Sequence, residues 1–261
     1  MKLLFEIGNS TLKWAWLDAR NRFNFGGELP WPTGAEQIIE AVCETLPELN
    51  EAFVWVANVG SRAALYPLLK ALQSRFGAYR MVFSEPACCG IKNGYEDFSL
   101  LGVDRWLAMI AARRRSRAPN LLVVDAGTAL TVDLLIKGQH QGGMIAPGLT
   151  LMQRCLTQNT ANLAVALESS PQASTDQLGL ARTTRDGITA GSHYMAAAFL
   201  QSLYVDLQAT LPDKQPLEVV LTGGQAEKLA QLVALPKLRC ERHLALRGLA
   251  EVVKQAAASD S

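Results

Sequence analysis

The sequence predicts an α/β protein made of two related lobes, and the order of its apolar segments leads to this fold class. Short apolar runs typical of strands alternate with segments whose apolar residues recur at helical spacing. A pattern of an apolar strand, an acid, one residue and a glycine occurs twice, about half a chain apart. With 261 residues, 49% hydrophobic and 19% charged, the chain can bury a sizeable core in each lobe.

The repeat relates residues 4–10, Leu-Phe-Glu-Ile-Gly-Asn-Ser, to residues 123–129, Val-Val-Asp-Ala-Gly-Thr-Ala. In each copy an apolar strand ends in an acid, a glycine turn follows, and a second apolar strand begins. A duplicated domain places its copies in this way. Between the copies a basic run meets Pro119. We therefore predict an N-terminal lobe at residues 1–117 and a C-terminal lobe at residues 118–261.

The remaining elements follow from apolar periodicity and from the breakers between the periodic segments. Strands are predicted at residues 3–5, 12–17, 52–59, 79–83, 121–125, 130–136 and 217–222. Helices are predicted at residues 33–46, 63–76, 103–115, 184–207 and 246–257. Loop or turn structure is predicted at residues 84–101, with Pro86, Gly90 and Gly94, and at residues 141–148, with three glycines and a proline.

Composition excludes several classes of protein. The formal charge of +1 argues against a broad contact with nucleic acid, which requires many phosphate-binding cations. The five cysteines form no Cys-x-x-Cys pair, so neither a zinc site nor a disulfide framework is indicated. Glu6 interrupts the first apolar run too early for a signal peptide, and no run of about 18 apolar residues exists. We expect a cytoplasmic protein without a membrane span.

The two glycine turns have the chemistry of a phosphate site. Gly8 and Gly127 allow the backbone to approach a ligand closely, and exposed N–H groups in such turns bind phosphate oxygens. Side-chain donors lie beside them at Asn9, Ser10, Thr11 and Thr128. Two turns of this kind predict a nucleotide held between two lobes. One hairpin alone would equally be a plain β-hairpin with a turn glycine.

Charged groups next to the first turn complete this hypothesis. Glu6 can hold a hydrated Mg²⁺ through water, because Mg²⁺ takes one or two protein carboxylates and keeps several waters. Lys13 can place positive charge near the phosphates. The chain lacks the Gly-x-x-x-x-Gly-Lys-Ser/Thr loop, the Gly-x-Gly-x-x-Gly fingerprint and the protein-kinase motifs. The two hairpins are therefore the nucleotide-binding candidates of this sequence.

The segment Gly102-Val103-Asp104-Arg105 opens a predicted helix between the two hairpins. An acid at this position can act as a base toward a hydroxyl group. The arginine can bind a carboxylate or a transferring phosphoryl group. The alternative is that Asp104 is an acid favoured at a helix start by the dipole, with no role in a reaction.

These motifs together resemble the type III pantothenate kinases, a family within the superfamily of acetate kinase, sugar kinases and actin. The family has an acid-x-Gly-Asn hairpin, a tyrosine, Leu-Gly-x-Asp-Arg, Asp-x-Gly-Thr-Ala-x-Thr-x-Asp, Gly-Gly-x-Ile-x-Pro-Gly and a threonine before a helix of small residues. Here these are residues 6–13, Tyr95, residues 101–105, residues 125–133, residues 142–148 and Thr184. The resemblance implies two duplicated ribonuclease H-like, actin-like ATPase domains, each a mixed sheet flanked by helices, with an interdomain ATP cleft.

The resemblance also implies roles for residues, and an activity that phosphorylates the pantothenate 4′-hydroxyl with ATP in the first step of coenzyme A synthesis. The residues that would bind ATP are Glu6, Ile7, Gly8, Asn9, Ser10, Thr11, Leu12, Lys13 and Thr128. Those that would bind pantothenate are Tyr95, Gly102, Val103, Asp104, Arg105 and Thr184. Asp104 would be the catalytic base, Asp125 would hold a monovalent cation (K⁺ or NH₄⁺), and Glu6 would serve Mg²⁺. The family is dimeric, so a homodimer is implied.

Two positions depart from the family pattern. Position 6 is Glu where the family has Asp, which moves the carboxylate one methylene further from the backbone. Position 98 is Phe where the family usually has proline. Because position 6 differs, a non-catalytic transcriptional accessory protein stays open as an alternative, as does another small-molecule kinase or a polyphosphate-type phosphatase of the same superfamily.

Two further groups of residues carry no predicted role. His140, His193 and His243 are scattered along the chain, so we expect loop or surface positions and no metal site. The basic run at residues 113–117 is interpreted as a solvated helix C-terminus, where cations suit the dipole. A nucleic-acid patch is the alternative for this run.

Overall fold

A computed structural model describes residues 1–46, 52–158, 180–211 and 215–259. The chain divides into two compact units. The first contains Met1–Arg117, Gly138–His140 and His243–Ser261, and the second contains Ala118–Lys137 and Gln141–Arg242.

The first unit is built on a five-stranded sheet with the order β3-β2-β1-β4-β5. Its strands are β1 (Lys2–Ile7), β2 (Thr11–Leu17), β3 (Phe23–Pro30), β4 (Phe53–Asn58) and β5 (Tyr79–Val82). The first three strands are antiparallel neighbours, whereas β4 runs parallel to both β1 and β5. The sheet is therefore mixed, with the antiparallel hairpin at one side and the parallel strands at the other.

One face of this sheet is covered by α1 (Ala35–Thr45) and α2 (Arg62–Phe76). Alternate residues of β1, Leu3, Phe5 and Ile7, point to this face because side chains of a strand alternate between the two faces. They form one buried core with Ile38 of α1 and Leu68 of α2. The apolar residues whose spacing predicted both helices therefore form the helix faces that pack on the sheet.

The segment after β5 has little regular structure. It contains the short strands β6 (Ala87–Cys88) and β7 (Ile91–Lys92), which pair with each other, and a 3₁₀ turn at Phe98–Leu100. Helix α3 (Val103–Arg115) follows. The prediction of a loop-rich stretch at residues 84–101 agrees with this arrangement.

The second unit repeats the design of the first. Its strands are β8 (Asn120–Ala126), β9 (Ala129–Ile136), β10 (Gln139–Pro147), β11 (Leu217–Thr222) and β12 (Leu238–Cys240). Their order is β12-β11-β8-β9-β10, with β8 and β9 antiparallel and β8, β11 and β12 parallel. Strand for strand this is the order of the first sheet, so the duplicated architecture is confirmed.

The described residues of the second unit form the helices α4 (Leu149–Gln158), α5 (Thr184–Thr210) and α6 (Ala226–Leu232). Leu122 and Val124 of β8 form a buried core with Leu200 of α5 and Leu229 of α6. No helix in the described part of the chain has the length and hydropathy that a membrane span requires.

The prediction of a loop at residues 141–148 is wrong, because most of this segment belongs to β10. Its glycines and Pro147 were interpreted as turn signals. A strand ladder is held by backbone groups, however, and a proline is tolerated where a strand ends. Strand β10 starts at Gln139, which pairs with Lys92 of β7, and this pairing places Gly138–His140 in the first unit.

The last helix, α7 (Leu244–Ser259), was assigned by sequence to the C-terminal lobe, but the contacts place it in the first unit. It packs closely on α3. A Cβ added at Gly248 would lie 2.5 Å from the carbonyl carbon of Leu107, a distance that real Cβ atoms do not adopt. Glycine at this position therefore lets the two helix backbones touch.

Candidate active site

The turn between β1 and β2 is exposed at its tip. The Gly8 N–H donates to the Thr11 carbonyl at 2.9 Å, and the Trp31 N–H donates to the Ser10 carbonyl at the same distance. Asn9 and Ser10 are exposed. A Cβ at Gly60 would overlap the Gly8 carbonyl oxygen, so the chain after β4 packs closely against this turn. The predicted phosphate-binding backbone is therefore held in place and open to solvent.

Only part of the predicted nucleotide segment presents its side chains. Ile7 and Leu12 face each other across the hairpin, and their side chains are buried in the core. These two residues can offer a ligand only their backbone groups. Glu6 and Lys13 form the next pair of the ladder.

The carboxylate of Glu6 lies in a charged and largely buried environment. Lys13 Nζ is 3.5 Å from Glu6 Oε1, and the exposed fractions of the two side chains are 21% and 14%. The other oxygen, Oε2, is buried and accepts no hydrogen bond from any described residue. Burial raises the pKa of Glu6, Lys13 opposes this shift, and the negative charge of Asp104 adds to it. Glu6 and Asp104 therefore lie close enough for their charges to interact.

This environment fits a cation. Oε2 of Glu6 is a buried oxygen with no hydrogen-bond partner among the described residues. The negative charge of Asp104 makes the ionised form of Glu6 less favourable. A hydrated Mg²⁺ would satisfy the oxygen and remove this repulsion. The residues present therefore suit the metal that the sequence predicts, with Glu6 as the group that holds it through water.

Asp104 occupies the first turn of α3, after the cap residue Gly102. Its Oδ1 accepts a hydrogen bond from the Arg105 N–H at 2.8 Å. The helix dipole favours the charged carboxylate at this end. Val103 and Arg105 on either side are buried, whereas Asp104 is only partly buried. Helix α3 thus fixes the backbone of Asp104 while its carboxylate keeps access to solvent.

Arg105 and Tyr95 form a pair next to this helix end. The Arg105 guanidinium donates to the Tyr95 hydroxyl at 2.8 Å and lies 5.6 Å from the centroid of the Tyr95 ring. Arg105 is 6% exposed. A buried guanidinium held in this way can present further N–H groups to an anionic substrate. The structure brings Tyr95 and Arg105 into direct contact beside the start of α3.

The prediction that His140 is a loop or surface residue is wrong. His140 lies in β10, is 1% exposed, and stacks on Tyr95 with ring centroids 5.8 Å apart. Its Nδ1 accepts a hydrogen bond from the Gly94 N–H at 3.4 Å. His140 therefore supports Tyr95 from behind. A single histidine 45 residues along the chain has no local pattern that could have revealed this contact.

The same prediction is wrong for His193, which is buried in α5. Burial lowers the pKa of His193, and the positive charge of Lys228 adds to this effect. His243 is partly buried and stacks on Phe25. Across the described residues, no group of three or more His, Cys, Asp or Glu side chains could hold a metal ion.

In the second unit, Asp125 ends β8 beside a crowded glycine. Gly223 follows β11 with φ of +92°, and a Cβ there would overlap Asp125 Oδ1 and lie 2.6 Å from the Ala126 carbonyl oxygen. Thr222, opposite Asp125 in the ladder, is buried. The Asp125 carboxylate and the Ala126 carbonyl thus lie close together beside Gly223. The sequence prediction did not include Gly223.

Thr128 and Thr184 also belong to the second unit. Thr128 lies in the turn between β8 and β9, where its carbonyl accepts from the Gly148 N–H at 3.0 Å. Thr184 is the first residue of α5 and is exposed, and the preceding Thr183 caps the helix through the Asp186 N–H. The predicted site residues are thus divided between the two units, with Asp125, Thr128 and Thr184 in the second.

The sequence matches one family over most of its length. A family model described as type III pantothenate kinase matches residues 2–206. A type III pantothenate kinase from Hydrogenovibrio crunogenus is 36% identical over 255 residues, covering 97% of this chain and 99% of the relative. Another from Nitrosococcus oceani is 35% identical over 260 residues, covering 97% and 94%.

Solved structures share the fold at low identity. A Sinorhizobium meliloti protein assigned as a 2-dehydro-3-deoxygalactonokinase aligns with a TM-score of 0.57 at 11% identity, covering 98% of this chain and 99% of that one. A Campylobacter jejuni protein assigned to the Baf family of transcriptional activators aligns with a TM-score of 0.54 at 20% identity. The alignment covers 98% of this chain and 99% of that one. A third structure is the activator of 2-hydroxyisocaproyl-CoA dehydratase from Clostridium difficile with bound ADPNP. It aligns with a TM-score of 0.50 at 12% identity, covering 99% of this chain and 96% of that one. At these identities the likeness is one of fold.

Proposed function

The chain belongs to the type III pantothenate kinase family, and we propose that Asp104 is the base with which it transfers the γ-phosphoryl group of ATP to the 4′-hydroxyl of pantothenate. One observation supports this assignment above the others. A partly buried carboxylate is fixed at the start of α3 between the Glu6–Lys13 pair and the Tyr95–Arg105 pair, all within the first unit.

Each group has a role that its environment favours. The backbone N–H groups and hydroxyls of the exposed residues 9–11 bind phosphate oxygens, and Lys13 offsets the phosphate charge. Arg105, held by Tyr95, binds the carboxylate of pantothenate or the transferring group. Asp104 takes the proton of the attacking hydroxyl as the new P–O bond forms. Mg²⁺, when bound near Glu6, neutralises charge on the β- and γ-phosphates.

The second unit contributes a cation site in this proposal. Asp125 with the crowded oxygens around Gly223 holds K⁺ or NH₄⁺, Thr128 contacts ATP, and Thr184 contacts pantothenate. The carboxylate and carbonyl oxygens beside Gly223 support the cation assignment, because hard cations take oxygen ligands.

A coupled assay of ADP release tests the proposed reaction. ADP release that requires pantothenate and rises when Na⁺ is replaced by K⁺ or NH₄⁺ would support it. ADP release with another hydroxyl or acyl substrate but not with pantothenate would instead indicate a different kinase of the superfamily. No ADP release with any of these substrates, together with specific DNA binding, would favour an accessory protein.

We also propose that the protein is a homodimer. Helix α5 exposes large apolar side chains: Tyr194, Met195 and Val205 are each more than 60% exposed. Residues at spacings of about eleven lie on the same side of a helix, so Tyr194 and Val205 belong to one stripe. Such a stripe on a surface helix is typical of a protein interface.

The oligomeric state of the protein in solution tests the proposed homodimer. We expect the wild-type protein to elute with the mass of a dimer in light-scattering chromatography and Tyr194→Asp to elute as a monomer. Tyr66→Asp is the matched control, because Tyr66 on α2 is 73% exposed and lies outside the stripe. A monomeric wild-type protein, or a Tyr194→Asp variant that stays dimeric, would contradict the proposed interface.

A further inference from the structure

Two adjacent cysteines form the tip of the β6–β7 hairpin. Cys88 ends β6, and Cys89 and Gly90 make the turn before Ile91. The two sulfur atoms are 3.5 Å apart and share a hydrogen bond. Both side chains are partly exposed, and neither forms a disulfide. The pair is therefore accessible to a small reagent, and its two sulfur atoms are in van der Waals contact.

The turn holds both sulfurs on the same side. Cys89 has φ of +51° and Gly90 has φ of +82°, so the chain passes through left-handed backbone at two consecutive residues. Gln255 of α7 accepts a hydrogen bond from the Cys89 N–H at 3.0 Å and lies 3.9 Å from the Cys88 sulfur. The hairpin tip is thus fixed to a helix of the same unit.

The two thiols differ in acidity. The hydrogen bond with Cys89 lowers the pKa of Cys88, although burial and the nearby Glu85 oppose this. The hydrogen bond with Cys88 and burial raise the pKa of Cys89, with Glu251 adding to the effect and Arg114 opposing it. Cys88 is therefore the more acidic thiol of the pair and supplies the attacking thiolate when it loses its proton.

Arg114 of α3 lies close enough to Cys89 for its charge to act on the thiol, and it also lines a basic cavity between α3 and α7. Arg114 and Arg115 of α3 line a cavity of about 160 Å³ together with Arg247 and Lys254 of α7. One carboxylate, Glu251, lines the same cavity and pairs with Arg114 and Lys254. Four cations against one anion give this surface a net positive charge, which attracts anions. The basic run of α3 is thus one side of a cavity, and α7 supplies the other.

We propose that Cys88 and Cys89 form a dithiol redox site that reacts with anionic low-molecular-weight disulfides, and that its oxidation weakens pantothenate binding through Tyr95. Cys88 is the attacking sulfur and Cys89 the resolving one, and the basic cavity attracts the carboxylate or phosphate groups of the reagent. The effect on pantothenate rests on the role proposed above for Tyr95.

The reaction takes place in two exchanges. The Cys88 thiolate attacks one sulfur of the reagent, a Cys88–reagent bond forms, the reagent S–S bond breaks, and one reagent thiolate leaves. Cys89 then loses its proton, attacks Cys88, and displaces the second reagent thiol. Two electrons pass from the cysteines to the reagent. Adjacent Cα atoms are about 3.8 Å apart, less than disulfides usually span, so the product is strained and easily reduced.

The hairpin links the pair to Tyr95. Asn93 follows β7, its N–H donates to the Pro86 carbonyl at 2.9 Å, and its side-chain oxygen accepts from the Tyr95 N–H at 3.0 Å. Closing the two sulfurs from 3.5 Å to bonding distance must change the turn at Cys89. Because Asn93 ties both strands of this hairpin to Tyr95, the change reaches the residue that holds Arg105.

The thiol chemistry is tested by mass spectrometry after treatment with oxidised glutathione, which carries carboxylates. We expect wild-type protein to form the Cys88–Cys89 disulfide, Cys89→Ser to keep a glutathione adduct at Cys88, and Cys88→Ser to react at least about tenfold more slowly at this hairpin. The exposed Cys155 of α4 is the internal control. Cystamine, a cationic disulfide, should react more slowly than oxidised glutathione.

The pantothenate KM of the same samples tests the coupling. We expect oxidation of the wild-type protein to raise KM roughly threefold or more with recovery in dithiothreitol, and no change in treated Cys88→Ser. Equal reaction at Cys88 and Cys155, a faster reaction with cystamine, or an unchanged KM in the oxidised protein would each overturn the proposal. Failure of the proposed function is distinct, because it would appear as no pantothenate-dependent activity in the untreated protein.

Discussion

Asp104 shows how one residue acquires a chemical role from its position. It stands in the first turn of α3 with its Oδ1 bonded to the Arg105 N–H. Asp104→Asn keeps the shape of the side chain and its hydrogen bond but cannot take a proton. We expect kcat to fall by about 10²–10⁴, the usual contribution of a general base, with little change in KM.

Steady-state kinetics of ADP release measures this effect. Asp206→Asn, which removes an exposed carboxylate from α5, is the control and should match the wild-type protein. A kcat for Asp104→Asn within about twofold of wild type would remove Asp104 from the role of base.

Because Glu6 is buried, we predict that it makes the free energy of unfolding depend on pH. Burial raises its pKa above 4.5, the value it has in the unfolded chain. Between these two pKa values the folded protein binds more protons than the unfolded chain, so this residue lowers the free energy of unfolding as pH rises through the window. Glu6→Gln removes the titration. The variant should therefore gain stability relative to wild type with rising pH, by at most about 1.4 kcal/mol per pH unit.

Urea unfolding at pH 5 and pH 8, in EDTA and without nucleotide, measures this difference. Glu40→Gln, which changes an exposed carboxylate on α1, is the matched control for charge removal. If Glu6→Gln and wild type keep a constant difference in unfolding free energy across this range, the raised pKa of Glu6 is refuted.

At the scale of elements, Gly223 packs tightly against the end of β8 in the second hairpin. With φ of +92° and a Cβ that would overlap Asp125 Oδ1, Gly223→Ala adds both backbone strain and a collision. We expect a loss of roughly 1–3 kcal/mol in stability and loss of activation by K⁺ or NH₄⁺, because the oxygens around Asp125 must move. Thermal unfolding and the cation dependence of ADP release measure the two effects.

Gly224→Ala is the matched control, because a Cβ at Gly224 meets no atom within 4 Å. It should leave both readouts near the wild-type values. Equal behaviour of the two variants would show that the contact of Gly223 with the Asp125 turn is not important for the cation effect.

The sequence predicted those elements whose signal is local. The strands at residues 121–125 and 217–222 and the helix at residues 103–115 agree with β8, β11 and α3. Strand β10 could not be predicted, because its glycines and proline resemble a turn and the ladder that forms it depends on a neighbouring strand. Within the proposed site, the family resemblance pointed to Tyr95 and Arg105, which the structure places in contact, but His140 reaches Tyr95 only through the fold.

For the whole molecule, the duplication could be read from two short segments, yet the course of the last helix could not. Helix α7 follows the second sheet in sequence and packs with the first unit. Its amphipathic pattern predicts that one face is buried but does not indicate which helix or sheet that face packs against. The close contact at Gly248 is the feature that decides the question, and it involves the backbone of another helix.

This contact gives a prediction for the molecule as a whole. Gly248→Ala places a methyl group 2.5 Å from the Leu107 carbonyl carbon, and backbone cannot move aside as a side chain can, so α3 and α7 must separate. We expect a loss of about 1–3 kcal/mol and faster amide exchange in α3 and α7, with β8–β12 unchanged. Gly187→Ala is the control, because that helical glycine faces open space and should gain up to about 1 kcal/mol. Faster exchange spread evenly over both units would contradict the assignment of α7 to the first unit alone.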